Sequence, residues 1–250
     1  MNCFQRYSAE VISRPTQIAT QVMAHRGASA VERENTTVAF RRAAEMGSHA
    51  VELDVRICRS GELVVHHNAV VADSVAIKDL THSELPPYIP TLTQALDACA
   101  GMWVNIEAKN DENEPDFDPN DKVAELMVAL LRERDTSQRW LISSFRRQTV
   151  DLVHSLWPQL PTAWLTLRVN DPDAQAVAAS LIASGHCALH PFVGTLSRHV
   201  VDVMHDNGLA VNTWTCDDPE RMRELVDWGI DGICTNTPDV ALRVLARRSP

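Results

Sequence analysis

No segment of the sequence reaches the roughly 20 consecutive apolar residues that a membrane-spanning helix needs. No two cysteines form a C-x-x-C pair, no short repeat recurs, and there is no low-complexity tract. Met1 to Gln21 lacks the long apolar core of a secretory signal, so a cytoplasmic protein without stable membrane insertion is expected. The six cysteines, Cys3, Cys58, Cys99, Cys187, Cys216 and Cys234, lie mostly inside apolar runs, where a free thiol behaves as a small hydrophobe. In a chain of 250 residues that usage points to reduced thiols, not to a disulfide framework. Basic side chains are outnumbered 23 to 33, giving a formal charge of −10. A broad nucleic-acid or anionic-membrane surface is therefore not expected. An anionic small molecule stays compatible, because a bound metal reverses the local field.

What is present is a recurrence of short, β-rich apolar runs. They are "QVMAHRG" from Gln21, "HAVELDVRI" from His49, "WVNIEAK" from Trp103, "WLISS" from Trp140, "TAWLTL" from Thr162, "CALHP" from Cys187, "AVNTWT" from Ala210 and "GICTN" from Gly232. Helical patterns lie between most of them. "NTTVAFRRAAEMG" opens on the candidate caps Asn35 and Thr36 and stops at Gly47. "DPERMRELVDWG" and "TPDVALRVLARR" each carry proline just after a cap residue, the favoured first-turn position. Strand alternating with helix implies a parallel sheet, and eight strand candidates imply a closed α/β (β/α)8 TIM barrel. A single domain is expected over residues 19–250, with residues 1–18 as a lead-in. An extra strand, "GELVVHH", follows the turn "RSG". The acidic segment Asn110 to Asp121 lacks the glycine and closing glutamate of a calcium loop, and is expected to be a solvated loop.

Side chains alternate along a strand, so Glu52 and Asp54 share one face while Val51, Leu53 and Val55 share the other. Two carboxylates inside a barrel repel unless something positive sits between them. Glu107 and Lys109 of "NIEAK" repeat the arrangement. Three carboxylates from neighbouring strands would make an oxygen-rich site for Mg²⁺ or Ca²⁺; each acid alone would more simply pair with Lys or Arg at a strand rim. "AHRGAS" ends the first strand on His25 and Arg26, where barrel enzymes keep their chemistry. A histidine there exchanges protons near neutral pH, and an arginine clamps phosphate.

The ordered boxes "HRGAS", "RENTTVAF", "VELDV", "VVHHN" and "NIEAK" together resemble the glycerophosphodiester phosphodiesterase family, with later landmarks in "IPTLTQAL", "LISSF", "VNTWTCDDP" and "GICTNTPD". The resemblance spans about Val22 to Val240. It implies a barrel enzyme, a phosphoric diester hydrolase that cleaves glycerophosphodiesters to sn-glycerol 3-phosphate and an alcohol with a divalent ion, Mg²⁺ or Ca²⁺. The metal ligands it implies are Glu52, Asp54 and Glu107; the acid and base are His25 and His67. Arg26 and Lys109 become phosphate ligands, and Glu34 a candidate for the metal shell or for holding His25.

Alternation sends His66 and His67 to opposite sides. The family spacing selects His67, leaving His66 a structural role, hydrogen-bonded under a helix. His190 is assigned to the pocket lining or to a packed strand end, and Trp214 to the pocket wall or the core. Three residues depart from the family pattern: Asn68 and Asn236 stand where aspartate is usual, and Arg33 where proline is usual. The insertion from Ala69 to Tyr88 is shortened. Two rival readings are a lysophospholipase D-like or sphingomyelinase D-like enzyme acting on lipids, and a non-catalytic binding barrel.

Overall fold

Each of the eight apolar runs forms a strand in the computed structural model, which describes residues 20–71, 74–99, 101–134 and 139–246. The lead-in expected over residues 1–18, with Cys3, lies outside the described residues. In chain order the strands are β1 (Gln21–His25), β2 (Ala50–Ile57), β3 (Leu63–Val65), β4 (Trp103–Ala108), β5 (Trp140–Ser144), β6 (Thr162–Thr166), β7 (Ala188–Pro191), β8 (Ala210–Thr213) and β9 (Gly232–Thr235). The helices are α1 (Thr37–Glu45), α2 (Leu92–Ala98), α3 (Lys122–Glu133), α4 (Arg147–Leu156), α5 (Ala174–Ala183), α6 (Arg198–Asp206), α7 (Pro219–Asp227) and α8 (Pro238–Ala246).

β1 pairs in parallel with both β2 and β9, so the sheet closes on itself and leaves no free barrel edge. β3 stands outside the ring, antiparallel to the end of β2 through Val55–Val65 and Ile57–Leu63. Val51, Leu53 and Val55 face outward and pack with Phe40 of α1, Leu92 of α2 and Met127 of α3. The other face of β2 carries Glu52, Asp54 and Arg56, all buried.

Local chemistry sets the helix starts. Thr36 caps α1 by accepting from the Ala39 N–H at 3.2 Å, and Asp218 caps α7 by accepting from Glu220 at 3.0 Å. Pro219 and Pro238 open α7 and α8 as expected. The shortened insertion coils into two single 3₁₀ turns, Ile77–Asp79 and His82–Glu84, and buries Ile77 and Leu85 in a cluster with Cys58, Val64 and Ile89. The five described cysteines are all buried free thiols. Among the described residues no helix is long and apolar enough to cross a membrane.

The acidic β4–α3 segment is a loop with residues 111–113, 115, 119 and 120 exposed, as expected, but its ends and two of its acids turn inward. Asn110 and Asp121 are buried, and Asn110 donates to Asp121, which also accepts from Arg146 and Thr149. Glu114 and Asp116 pair with Arg56. Glu114, Asp116 and Asp121 supply partners to Arg56, Arg146 and Thr149, side chains that lie buried or mostly buried and would otherwise lack them.

Candidate active site

Strand register brings the acids together. Asp54 lies directly beside Glu107 across β2 and β4, and Glu52 beside His25 across β2 and β1. As a result Glu52, Asp54 and Glu107 each offer an oxygen within 4.8 Å of the others, and all three are buried. Burial and the neighbouring Asp54 and Glu107 push the Glu52 carboxyl well above its ordinary range. Burial also raises Glu107, against the pull of Lys109. Asp54 moves the other way: burial would raise it, but Lys109, Arg26 and His67 together hold it low. Glu52 Oε1 and Asp54 Oδ1 are buried with no hydrogen-bond partner.

The turn after β1 explains "HRG". Arg26 adopts a left-handed conformation (φ 55°), which aims its backbone N–H at Glu52 Oε2, 3.0 Å away. Gly27 follows at φ 83°, and a Cβ there would sit 2.7 Å from the Ala39 backbone of α1. The Arg26 guanidinium reaches Asp54 at 3.2 Å and grips both oxygens of Glu34 at 3.1 and 3.0 Å. Glu34 sits half-exposed at the rim, and the partner it grips there is Arg26. Lys109 meets Glu107 at 2.9 Å and Asp54 at 3.8 Å.

His25 lies 4.0 Å from Glu52 and its Nδ1 meets Asn236 Oδ1 at 2.7 Å. His67 meets Asn68 Oδ1 through Nδ1 at 2.8 Å. Burial lowers the pKa of both rings, more than the nearby carboxylates and amide partners raise it. His66 is half-buried and its Nδ1 meets the Asn68 carbonyl oxygen at 2.9 Å. That bond pins its own turn.

A cavity of about 240 Å³ opens beside these groups, lined by His25, Arg26, Glu52, His67, Glu107 and Lys109. His190 and Trp214 both line it. His190 is buried, accepts from Asn212 Nδ2 at 2.9 Å, and burial pushes its pKa down to about 3. Trp214 donates to the His190 carbonyl at 2.8 Å and packs edge-on to Phe145.

Sequence reasoning passed over Asn35, Arg56 and Asp217. Asn35 donates to Asp54 Oδ2 at 2.7 Å from a left-handed backbone (φ 57°), a conformation in which Asn is enriched. Arg56 was legible as the next residue on the Glu52 and Asp54 face. Asp217 accepts from Asn236 Nδ2 at 2.7 Å and carried no signal in its own segment.

The model of the glycerophosphoryl diester phosphodiesterase family matches residues 25–240. The chain belongs to this family. It is similar to the family's glycerophosphodiester phosphodiesterase of Caldanaerobacter subterraneus subsp. tengcongensis, at 28% identity over 249 residues, covering 91% of this chain and 98% of the relative. A solved glycerophosphodiester phosphodiesterase of Parabacteroides distasonis superimposes with a TM-score of 0.82 at 25% identity, over 94% of this chain and 100% of that one. A phosphodiesterase of Oleispira antarctica, solved with the product sn-glycerol-3-phosphate, shares the fold at a TM-score of 0.82 and 22% identity, over 91% and 97% of the two chains.

Proposed function

We propose that the protein hydrolyses glycerophosphodiesters to sn-glycerol 3-phosphate and an alcohol, using a divalent ion held by Glu52, Asp54 and Glu107. The observation that carries this reading is the trio of buried carboxylates on adjacent strands, flanked by one histidine at the end of β1 and another just past β3, in a member of this family. The donor set fits a hard cation: it is all oxygen, and Glu52 Oε1 and Asp54 Oδ1, which lack hydrogen-bond partners, belong to carboxylates that otherwise repel. Mg²⁺ or Ca²⁺ bound there would withdraw charge from phosphate oxygens.

The chain's own groups do the rest. Arg26 and Lys109 orient the phosphate, Arg26 from a position that Glu34 holds. His25 and His67 divide the proton transfers: one accepts from the nucleophile, either water itself or the substrate's neighbouring hydroxyl, whose cyclic phosphate water then opens, and the other donates to the departing alkoxide. Trp214 and Phe145 wall the cavity on the side left for the alcohol. The unit proposed to carry this activity is residues 19–250.

The test is a coupled assay for sn-glycerol 3-phosphate release from glycerophosphocholine, with and without EDTA, beside lysophosphatidylcholine. Release that stops in chelator and returns with Mg²⁺ or Ca²⁺ supports the reading. Choline release from the lysolipid alone would favour the lipid-directed reading, and no turnover of either substrate the binding-protein reading.

A further inference from the structure

Arg56 is wholly buried, and the roles assigned above leave it out. Its Nε and Nη2 both donate to the backbone carbonyl of His67, at 2.9 and 2.5 Å. Nη2 also donates to both oxygens of Glu114, at 2.9 and 2.8 Å, and Nη1 to Asp116 at 2.6 Å. One guanidinium therefore joins the loop that carries His67 to the acidic β4–α3 segment. The two sites are far apart in sequence, and only a planar fork with five donors can serve a carbonyl and two carboxylates at once.

The position of the contact matters. His67 lies just past the last residue of β3, beyond the sheet's own hydrogen bonds. The preceding residue is tied down by the His66 N–H donating to the Asp54 carbonyl at 3.0 Å. Arg56 supplies the second anchor, on His67 itself. Among the described residues the ring's hydrogen bond is to the exposed Asn68 side chain, so the backbone anchors decide where the imidazole points.

We propose that Arg56, held by Glu114 and Asp116, is a positioning residue that sets the His67 imidazole against the carboxylate cluster, which rests on the assignment of His67 to proton transfer. Arg56 touches no substrate in this arrangement. A misplacement of about 1 Å in a catalytic group can cost on the order of 10²-fold in rate, so the effect belongs in turnover and not in binding.

The experiment is a double-mutant cycle on the full chain, with Arg56→Gln, His67→Ala and the pair, reading kcat, KM and thermal melts with glycerophosphocholine. Arg56→Gln should lower kcat by about 10- to 100-fold with KM little changed. In the His67→Ala background the same substitution should cost nothing further. Arg56→Lys should recover only part of the rate, since an ammonium lacks the fork. If Arg56→Gln does not fold, Glu114→Gln with Asp116→Asn takes its place in the cycle, with an intermediate loss that also vanishes without His67. Costs that multiply in the double mutant, or an unchanged kcat in the folded variant, overturn the proposal. Full turnover by His67→Ala would instead remove the reading of His67 on which it stands.

Discussion

Asn236 Oδ1 lies 2.7 Å from His25 Nδ1, and the same side chain's Nδ2 donates to Asp217. The second bond fixes which way the amide faces. Its oxygen must meet His25, so Nδ1 carries the proton and Nε2 keeps its lone pair toward Glu52. Asp217→Asn removes the lock and lets the amide turn. Turnover is expected to fall by about tenfold or more while the melting temperature moves little, a smaller loss than removing a proton-transfer group itself. Asn236→Asp should place a charge on Nδ1 and raise the pKa of His25, moving the pH–rate profile upward. An unmoved profile in a folded, active Asn236→Asp would mean that His25 does not govern it.

The histidine doublet separates by the same kind of measurement. His67→Ala should cost roughly 10²–10⁴-fold in kcat, with metal affinity nearly unchanged because the carboxylates supply the ligands. His66→Ala removes only the bond to the Asn68 carbonyl. It should lower thermal stability slightly and leave the folded enzyme active. Kinetics and melts on the two variants decide; the reverse pattern would mean that the strand's faces are assigned the wrong way round.

Three buried carboxylates within 4.8 Å of one another store repulsion in the metal-free protein. Glu52→Gln should therefore melt at a higher temperature than the parent when both are in EDTA. Adding Mg²⁺ or Ca²⁺ should raise the melting temperature of the parent and leave the variant where it was, because ligand binding to the folded state alone is what shifts it. Turnover of the variant should be lost. A variant that responds to the ion like the parent would place the metal elsewhere.

His190 gives the chain an acid-side weakness. Burial pushes its pKa down to about 3, against an ordinary value of 6.5. Between those values the unfolded chain binds a proton that the folded one refuses, so stability rises with pH across the window. Its contribution is complete above pH 6.5 and declines as pH falls toward 3. His190→Gln can still accept from Asn212 but cannot take the proton. Urea unfolding from pH 7 to pH 4 should show a shallower loss for the variant, and parallel curves would count against this cause.

Much of the fold was legible along the chain. Short apolar runs separated by capped helical patterns name eight strands, because a parallel strand buried on both faces needs continuous apolar sequence. Alternation alone places Glu52 and Asp54 on one face and Val51, Leu53 and Val55 on the other, since the strand period is local geometry. The same rule would have placed Arg56 beside the two acids.

The partners of those residues were decided only by closing the barrel. Register across β2 and β4 puts Asp54 beside Glu107, and no local pattern encodes the offset between two strands. His25 reaches Asn236 over a separation of 211 residues, and Arg56 reaches Glu114 and Asp116 over 58 and 60. The acidic segment was read as solvated because its composition is polar. Its exposed residues fit that reading, but Glu114 and Asp116 turn toward Arg56 because a buried guanidinium needed counter-charges, and burial of a charge is a property of the assembled core, not of the segment that supplies its partner.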